Sequence, residues 1–389
     1  MFYDGGGIFD VSNLMIYNYF ATVAPSLEMI ALQELEQLGA KEIMPEVSGI
    51  RFQGDKKLLY RVNLWARTIF RVLLPIAEVK SFNAEQLYKS VKKIDWENYL
   101  QPEQTLAIHC TGSNQHLNHS HFTALQIKNA IIDQQREKFG KRSSVDVQQP
   151  DLLINAHIYQ NNCILSLDSS GESLHRRGYR AAMGLAPLKE TLAAAMLELA
   201  QWTPQLALFD PLCGSGTLPL EAALKALNIA PGLFRQRFGF QSWLDFDQAL
   251  WQDLLREAKE SRTSILSAPI IGSDRCAQVI QQAYSNAQAC GVSDQVQFIQ
   301  RELSEVEAPA SEGIIICNPP YGKRVGNPQE LGSLYKQLGD IFKQRFKGWT
   351  AYLLTGNKEL SKQVGLKTSR RIPLDNGGLP CTLLKYELY

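Results

Sequence analysis

Residues 206–217 read Leu206-Ala-Leu-Phe-Asp-Pro-Leu-Cys-Gly-Ser-Gly-Thr217, and the chain continues as Leu218-Pro-Leu-Glu-Ala-Ala-Leu-Lys-Ala-Leu227. An apolar run ends on Asp210, passes through a glycine turn and enters an apolar helix, so the stretch reads strand, loop, helix. Gly214 and Gly216 let the backbone turn sharply and approach a ligand closely, and the free N–H groups opening the next helix favour an anionic or polar group. Pro219 suits a first helical turn, where an N–H is orphaned in any case. The pattern predicts a nucleotide-type cofactor turn. A dinucleotide fingerprint needs a third glycine at position 219, which is proline here, and an acidic residue about 20 residues on, which is missing. NAD is therefore disfavoured.

Working outward, the next strand-like run with an acid at its end is Pro269-Ile-Ile-Gly-Ser-Asp274, and its carboxylate suits two ribose hydroxyls. The long gap before it, residues 228–268, reads as an insertion. Further on, the apolar run Gly313-Ile-Ile-Ile-Cys317 delivers Asn318-Pro-Pro-Tyr321. Two consecutive prolines fix φ and remove two donors, which leaves carbonyls free to accept hydrogen bonds from an amine. Asn318 adds a side-chain carbonyl and Tyr321 a flat face on which a base can stack. The blander reading of the tetrapeptide is a proline turn closing a strand.

Strand, glycine loop, ribose acid and Asn-Pro-Pro-Tyr, in that order, resemble the class I S-adenosylmethionine-dependent methyltransferases of the amino-methylating branch. With Ser173-Leu-His-Arg-Arg-Gly-Tyr-Arg180, Ala186-Pro-Leu-Lys-Glu-Thr-Leu192 and Asn318-Pro-Pro-Tyr-Gly-Lys-Arg324, the chain resembles more narrowly the RlmL/YpsC family of THUMP-containing rRNA guanine-N2 methyltransferases, from about residue 17 to the end. The resemblance implies an α/β chain: an α+β ferredoxin-like and THUMP RNA-binding region at 17–170, a connector at 171–185, and a Rossmann-like class I methyltransferase domain at 186–389 with an antiparallel terminal hairpin. It implies S-adenosyl-L-methionine as cofactor, held by Thr191, Asp210, Cys213, Gly214, Ser215, Gly216, Thr217 and Asp274. Asp210 would take the cofactor's amino group and Asp274 its ribose. The acceptor it implies is guanine N2 in 23S rRNA, with Asn318, Pro319, Pro320 and Tyr321 as catalytic residues. No metal is required by this chemistry. Asn-Pro-Pro-Tyr also serves adenine N6 in DNA and glutamine N5 in proteins, so the tetrapeptide does not choose the acceptor. A tRNA guanine-N2 enzyme is the nearest rival, and an RNA-binding assembly factor without turnover is the rival from another class.

The 389 residues exceed one ordinary domain, 45% hydrophobic and 20% charged residues are usual for a globular chain, and no run of 18 apolar residues suggests a membrane span. The first 40 residues hold no Lys or Arg, unlike a secretory or transit leader, so cytoplasm is the expected compartment. Residues 1–16 read as a flexible extension, with Met15 an alternative start. Seven scattered cysteines without a C-x-x-C pair signal neither a disulfide framework nor a zinc site. Net charge of +1 is low for a nucleic-acid binder, but residues 41–150 carry 16 Lys and Arg against 11 Asp and Glu. Tighter clusters are Arg176, Arg177 and Arg180, and Lys323 with Arg324, each a candidate phosphate contact or a solvated surface patch.

Period-2 and period-3.6 apolar patterns alternate up to residue 170 and suit small sheets covered by helices. Pro187 is expected to open a helix through Trp202. Strands at 269–272, 295–300, 313–317 and 350–355 alternate with helices, and Asp375-Asn-Gly-Gly378 reads as the turn of a terminal hairpin. In the insertion, Trp243, Phe246 and Trp251 read either as packing for an extra helix or as base-stacking rings, with packing favoured. Cys317 as nucleophile and His116, His119 and His121 as metal ligands are weaker readings: a thiol ending an apolar strand is usually inert, and the histidines sit in a polar loop before a helix cap. Glu302 is displaced from the usual adenine-side acid, with Arg301 beside it.

Overall fold

The computed structural model describes residues 15–180, 188–321 and 328–389. The first half alternates β1 (Tyr17–Thr22), α1 (Glu28–Leu38), β2 (Lys41–Glu46), β3 (Gly49–Gly54), α2 (Lys56–Trp65), β4 (Arg71–Lys80), α3 (Ala84–Val91), β5 (Thr105–Ser113), α4 (Ser120–Phe139), β6 (Ser144–Val145), β7 (Leu152–Tyr159) and β8 (Asn162–Asp168). Local chemistry sets the helix ends. Asp55 Oδ1 accepts from Leu58 N at 2.7 Å, Gly39 closes α1 in the left-handed region, and His119 Nδ1 accepts from Phe122 N at 3.2 Å as the cap of α4. Of the three loop histidines, His119 is thus occupied as a cap.

The expected small sheets are one sheet. Eight strands run in the order β2-β3-β1-β4-β8-β7-β5-β6, because the ten residues of β4 are long enough to pair antiparallel with β1 on one edge and with β8 on the other. β2 carries a mostly exposed, charged pattern without alternation, which is why periodicity alone passes over it.

The second half continues with α5 (Glu190–Leu199), β9 (Ala207–Asp210), α6 (Thr217–Ala226), α7 (Gln248–Glu260), β10 (Ile270–Asp274), α8 (Ala277–Cys290), β11 (Val296–Gln300), β12 (Gly313–Cys317), α9 (Pro328–Arg345), β13 (Thr350–Thr355), α10 (Lys358–Gln363), β14 (Arg370–Asp375) and β15 (Pro380–Glu387). Seven strands lie in the order β11-β10-β9-β12-β13-β15-β14. The first five are parallel, and β15 inserts antiparallel between β13 and β14 to form the terminal hairpin. Both faces are covered. Leu208, Ile270, Ile314 and Ile316 pack towards one helical layer with α5, α6 and α8, whereas Phe209, Ile315, Cys317 and Leu353 pack towards the layer of α9. Helix α5 starts at Glu190, later than the expected Pro187; Leu188 and Lys189 are extended or irregular, and Pro187 lies outside the described residues.

The insertion packs, but mainly on the first half of the chain. Phe238, Phe240, Trp243 and Trp251 join the hydrophobic core built on β1–β8 and α1–α4, and Phe240 stacks on Tyr60 of α2 at 4.3 Å between ring centroids. Trp251 meets Phe240 edge-on at 5.2 Å and Phe238 at 5.4 Å. Polar ties close the seam: Asp247 N donates to Tyr60 Oη at 3.0 Å, and Lys56 Nζ donates to Asp245 O at 2.6 Å. The aromatic rings are spent on holding the two halves together.

Candidate active site

The order of the second sheet reverses between β9 and β12, which leave their neighbours in opposite directions and open a crevice at their carboxyl ends. Three segments reach that edge: the loop after β9, the end of β10, and Asn318–Tyr321 after β12. Gly214 and Gly216 have φ of 52° and 85°, a region L side chains rarely adopt. Gly216 has a second reason, because a Cβ there would stand 2.8 Å from the Phe298 ring. At Gly214 a Cβ would meet nothing within 4 Å, so the loop faces open space at that point.

The loop is pinned from below. Cys213 N donates to Ser273 O at 2.9 Å, Gly214 N to Asp274 Oδ2 at 3.2 Å, and Asn286 Nδ2 to Ser215 O at 3.1 Å. Asp274 Oδ1 also accepts from Cys276 N at 3.0 Å, yet a carboxylate retains further acceptor sites for a ligand hydroxyl. Asp210 is buried; its Oδ1 accepts from Leu212 N at 3.1 Å, and among the described residues no cation pairs with it. Burial holds its carboxyl well above the usual range, the Leu212 amide opposes this, and the Asp274 charge adds to it.

Among the described residues, Asn318 Oδ1 is buried without a hydrogen-bond partner, as is Thr191 Oγ1 in the first turn of α5. Orphaned buried polar atoms cost free energy, so a pair of them flanking a glycine loop marks a ligand-shaped deficit. Tyr321 is fixed: Asn376 Nδ2 donates to its oxygen at 2.7 Å and Cys381 Sγ lies 3.3 Å away, both from the terminal hairpin. Burial raises the Tyr321 hydroxyl pKa, so it stays protonated. Asn376 and Cys381 escaped the sequence reading because Asp375-Asn-Gly-Gly378 registers only as turn chemistry. Beside this hairpin, Val23, Phe70, Lys189, Leu192 and Asp375 border a cavity of about 240 Å³.

Cys317 is buried under α9, and burial followed by the nearby Asp210 charge raises its thiol far above the thiolate range. A nucleophilic role does not fit that position. Cys213 is likewise buried, its thiol against Gly272 rather than in the open crevice. Among the described residues no group of three or more His, Cys, Asp or Glu is placed to hold a metal ion.

The arginine cluster is placed differently from a phosphate-binding patch. Arg176 is exposed and pairs with Glu172 at 3.0 Å. Arg177 is 1% exposed and ion-paired with Glu221 of α6 at 3.3 Å, and it also donates to the carbonyls of Ala66, Arg67 and Leu174. Arg180 pairs with Glu190 at 2.8 Å. Arg177 and Arg180 are thus interior cations, and phosphate contact is corrected for both: their guanidiniums are desolvated and held by carboxylates. Lys323 and Arg324 lie outside the described residues.

A parallel sheet with a switch-point glycine loop, an acid ending the adjacent strand β10 and an Asn-Pro-Pro-Tyr edge defines a Rossmann-like methyltransferase, and the open acceptor sites of Asp274 with the orphaned Thr191 Oγ1 fit S-adenosylmethionine. The sequence profile of the RMKL-like methyltransferase domain matches residues 177–385, that of the THUMP domain residues 82–168, and that of the RlmL ferredoxin-like domain residues 18–73. The chain belongs to the RMKL-like methyltransferase family. It is 62% identical over 371 residues to a protein of Synechocystis sp. named as a candidate RNA methyltransferase, covering 95% of this chain and 97% of that one. It is 42% identical over 381 residues to the ribosomal RNA large subunit methyltransferase K/L of Syntrophotalea carbinolica, covering 95% of this chain and 53% of that protein, so it spans about half its length. A candidate methyltransferase solved with S-adenosylhomocysteine superposes with a TM-score of 0.86 at 30% identity, covering 96% of this chain and 98% of that one. Among the described residues no helix is long and apolar enough to cross a membrane.

Proposed function

We propose that this chain methylates the exocyclic N2 amine of a guanine in large-subunit (23S) rRNA, with S-adenosylmethionine as donor. When bound, that cofactor supplies an electrophilic methyl group on a sulfonium. Asp274 holds its ribose and Asp210 its amino group, directly or through water. The observation that carries the reading is the buried Asn318 Oδ1 at the switch point, beside the glycine loop and without a partner among the described residues. A guanine N2 lone pair is delocalised into the ring, so fixed acceptors for both its N–H bonds turn it towards the methyl and stabilise the positive charge that develops. Asn318 Oδ1 and the Pro319 carbonyl are those acceptors. Tyr321, held by Asn376 and Cys381, offers its ring to a base taken out of its stack. Its raised pKa makes it a platform rather than a proton acceptor.

RNA as the acceptor is supported by the THUMP match and by the names of the relatives, and 23S rRNA by those of the K/L proteins. The test is label transfer from methyl-labelled S-adenosylmethionine to unmodified 23S rRNA, tRNA, DNA and a glutamine-bearing protein in separate reactions. Label in 23S rRNA is expected. Label confined to tRNA or to DNA would move the acceptor assignment, and Asn318→Ala that still supports ribosome assembly while wild-type protein transfers no methyl would favour the non-catalytic factor.

A further inference from the structure

Arg177 and Arg180 stand three residues apart and are both interior, but only one of them is complete. Arg177 uses Nε, Nη1 and Nη2 on Glu221 and on backbone carbonyls. Arg180 is held along one edge, with Nε on Glu190 Oε1 at 2.9 Å and Nη2 on Leu188 O at 3.1 Å and Thr217 Oγ1 at 3.3 Å. Its Nη1 is buried with no partner among the described residues, and the side chain is 11% exposed. Thr217 ends the glycine loop and begins α6, so the bond from Nη2 places this guanidinium beside the end of the cofactor turn. Thr191, the residue after Glu190 in the first turn of α5, is 1% exposed and leaves its Oγ1 unfilled among the described residues.

A guanidinium nitrogen and a hydroxyl, both short of an acceptor beside a helix N-terminus, suit a carboxylate, which accepts several charge-assisted hydrogen bonds at once. S-adenosylmethionine carries one, on its amino-acid end. We propose that Arg180 Nη1 and Thr191 Oγ1 receive the α-carboxylate of the bound cofactor, which makes Arg180 a cofactor-binding residue and Glu190 the group that orients it. The proposal rests on residues 210–217 being the cofactor loop.

Calorimetric titration separates the two. S-adenosylhomocysteine carries the carboxylate, whereas 5′-methylthioadenosine shares the adenosine and sulfur but lacks the amino-acid end. Arg180→Met is expected to weaken the first ligand by about 10- to 100-fold, the scale of a charged hydrogen bond, and the second by less than roughly threefold. Because Arg180→Met strands Glu190, two further variants repeat the measurement: Arg180→Met with Glu190→Gln, and Thr191→Val, expected at roughly three- to tenfold for S-adenosylhomocysteine alone. Equal losses for both ligands, or no loss for S-adenosylhomocysteine in folded variants, would overturn the carboxylate seat. Wild-type protein that binds neither ligand would overturn the cofactor loop itself, and the seat with it.

Discussion

Strand β8 of the first sheet and strand β9 of the second each end on a buried aspartate that bends back onto the following turn. Asp168 Oδ1 accepts from Ser170 N and Gly171 N, and its Oδ2 is ion-paired with Arg71. Burial still pushes its carboxyl up, but Arg71 and the two amides oppose that. The corner is then roofed by the insertion, where Phe240 N donates to Ser169 O at 3.0 Å and Arg235 Nη2 to Ser170 O at 3.0 Å. Asp210 has one amide, no cation among the described residues, and a second carboxylate, Asp274, close enough to raise it further. Nearby, Thr191 and Asn318 hold unfilled polar atoms. The same motif, an aspartate closing a buried strand, is finished with the chain's own groups in one sheet and left unfinished in the other. Unfilled atoms alone do not separate the two corners, since Arg235 Nε at the first also lacks a partner among the described residues; the difference lies in the aspartates, one paired with a cation and one not.

Stripping the finished corner should cost stability and spare the ligand. Trp251→Ala removes the ring that Phe238 and Phe240 pack on, and a loss of about 3–5 kcal/mol is expected in urea unfolding, with S-adenosylhomocysteine affinity of the folded protein unchanged. Asn318→Ala does the reverse: kcat should fall by about 10²- to 10³-fold, the scale of losing one positioned polar group, while S-adenosylhomocysteine binding and Tm hold. If Tm falls and kcat does not, Asn318 is a strand cap. Asp168→Ala leaves Arg71 without its carboxylate; since that guanidinium is a quarter exposed, about 2–3 kcal/mol is expected rather than the full cost of breaking a buried pair.

The smallest effect and the sharpest sign belong to Asp210→Asn. Cofactor affinity should drop by about tenfold, in line with one charged hydrogen bond. Apo stability should rise. A carboxyl whose folded pKa lies above its unfolded value of about 3.9 keeps its proton longer when folded, so wild-type protein loses stability as pH climbs from that value through the raised folded one. Below the unfolded pKa the two proteins should match in this contribution, and the gap in Tm should open with rising pH. A constant gap, or one that opens as pH falls, would mean that folding does not raise the Asp210 carboxyl.

Much of the unfinished site was legible because its chemistry is local. A glycine loop between an apolar strand and an apolar helix, and two prolines after a second strand, constrain their own backbone within a few residues. The terminal hairpin was legible for the same reason. Partnership at long range was not. Arg177 reads as a surface cation until Glu221, 44 residues on, closes the pair; the one available signal is a lone glutamate inside the apolar run from Leu218 to Leu227. Aromatic spacing in the insertion spoke for packing but carried no record of the surface it would meet, which is α2 and the corner after β8 as well as its own domain. Unfilled atoms such as Arg180 Nη1 appear only once every other partner has been placed.

Nucleoside mass spectrometry of unmodified 23S rRNA, digested after incubation with the chain and S-adenosylmethionine, reads the chemistry at the unfinished edge directly. N2-methylguanosine is expected with wild-type protein, and its initial rate of formation should fall by about 10²- to 10³-fold with Asn318→Ala. Methyl found on adenine N6, or an unmodified 23S digest alongside methylated tRNA or DNA, would contradict guanine N2 of the large-subunit rRNA as the acceptor.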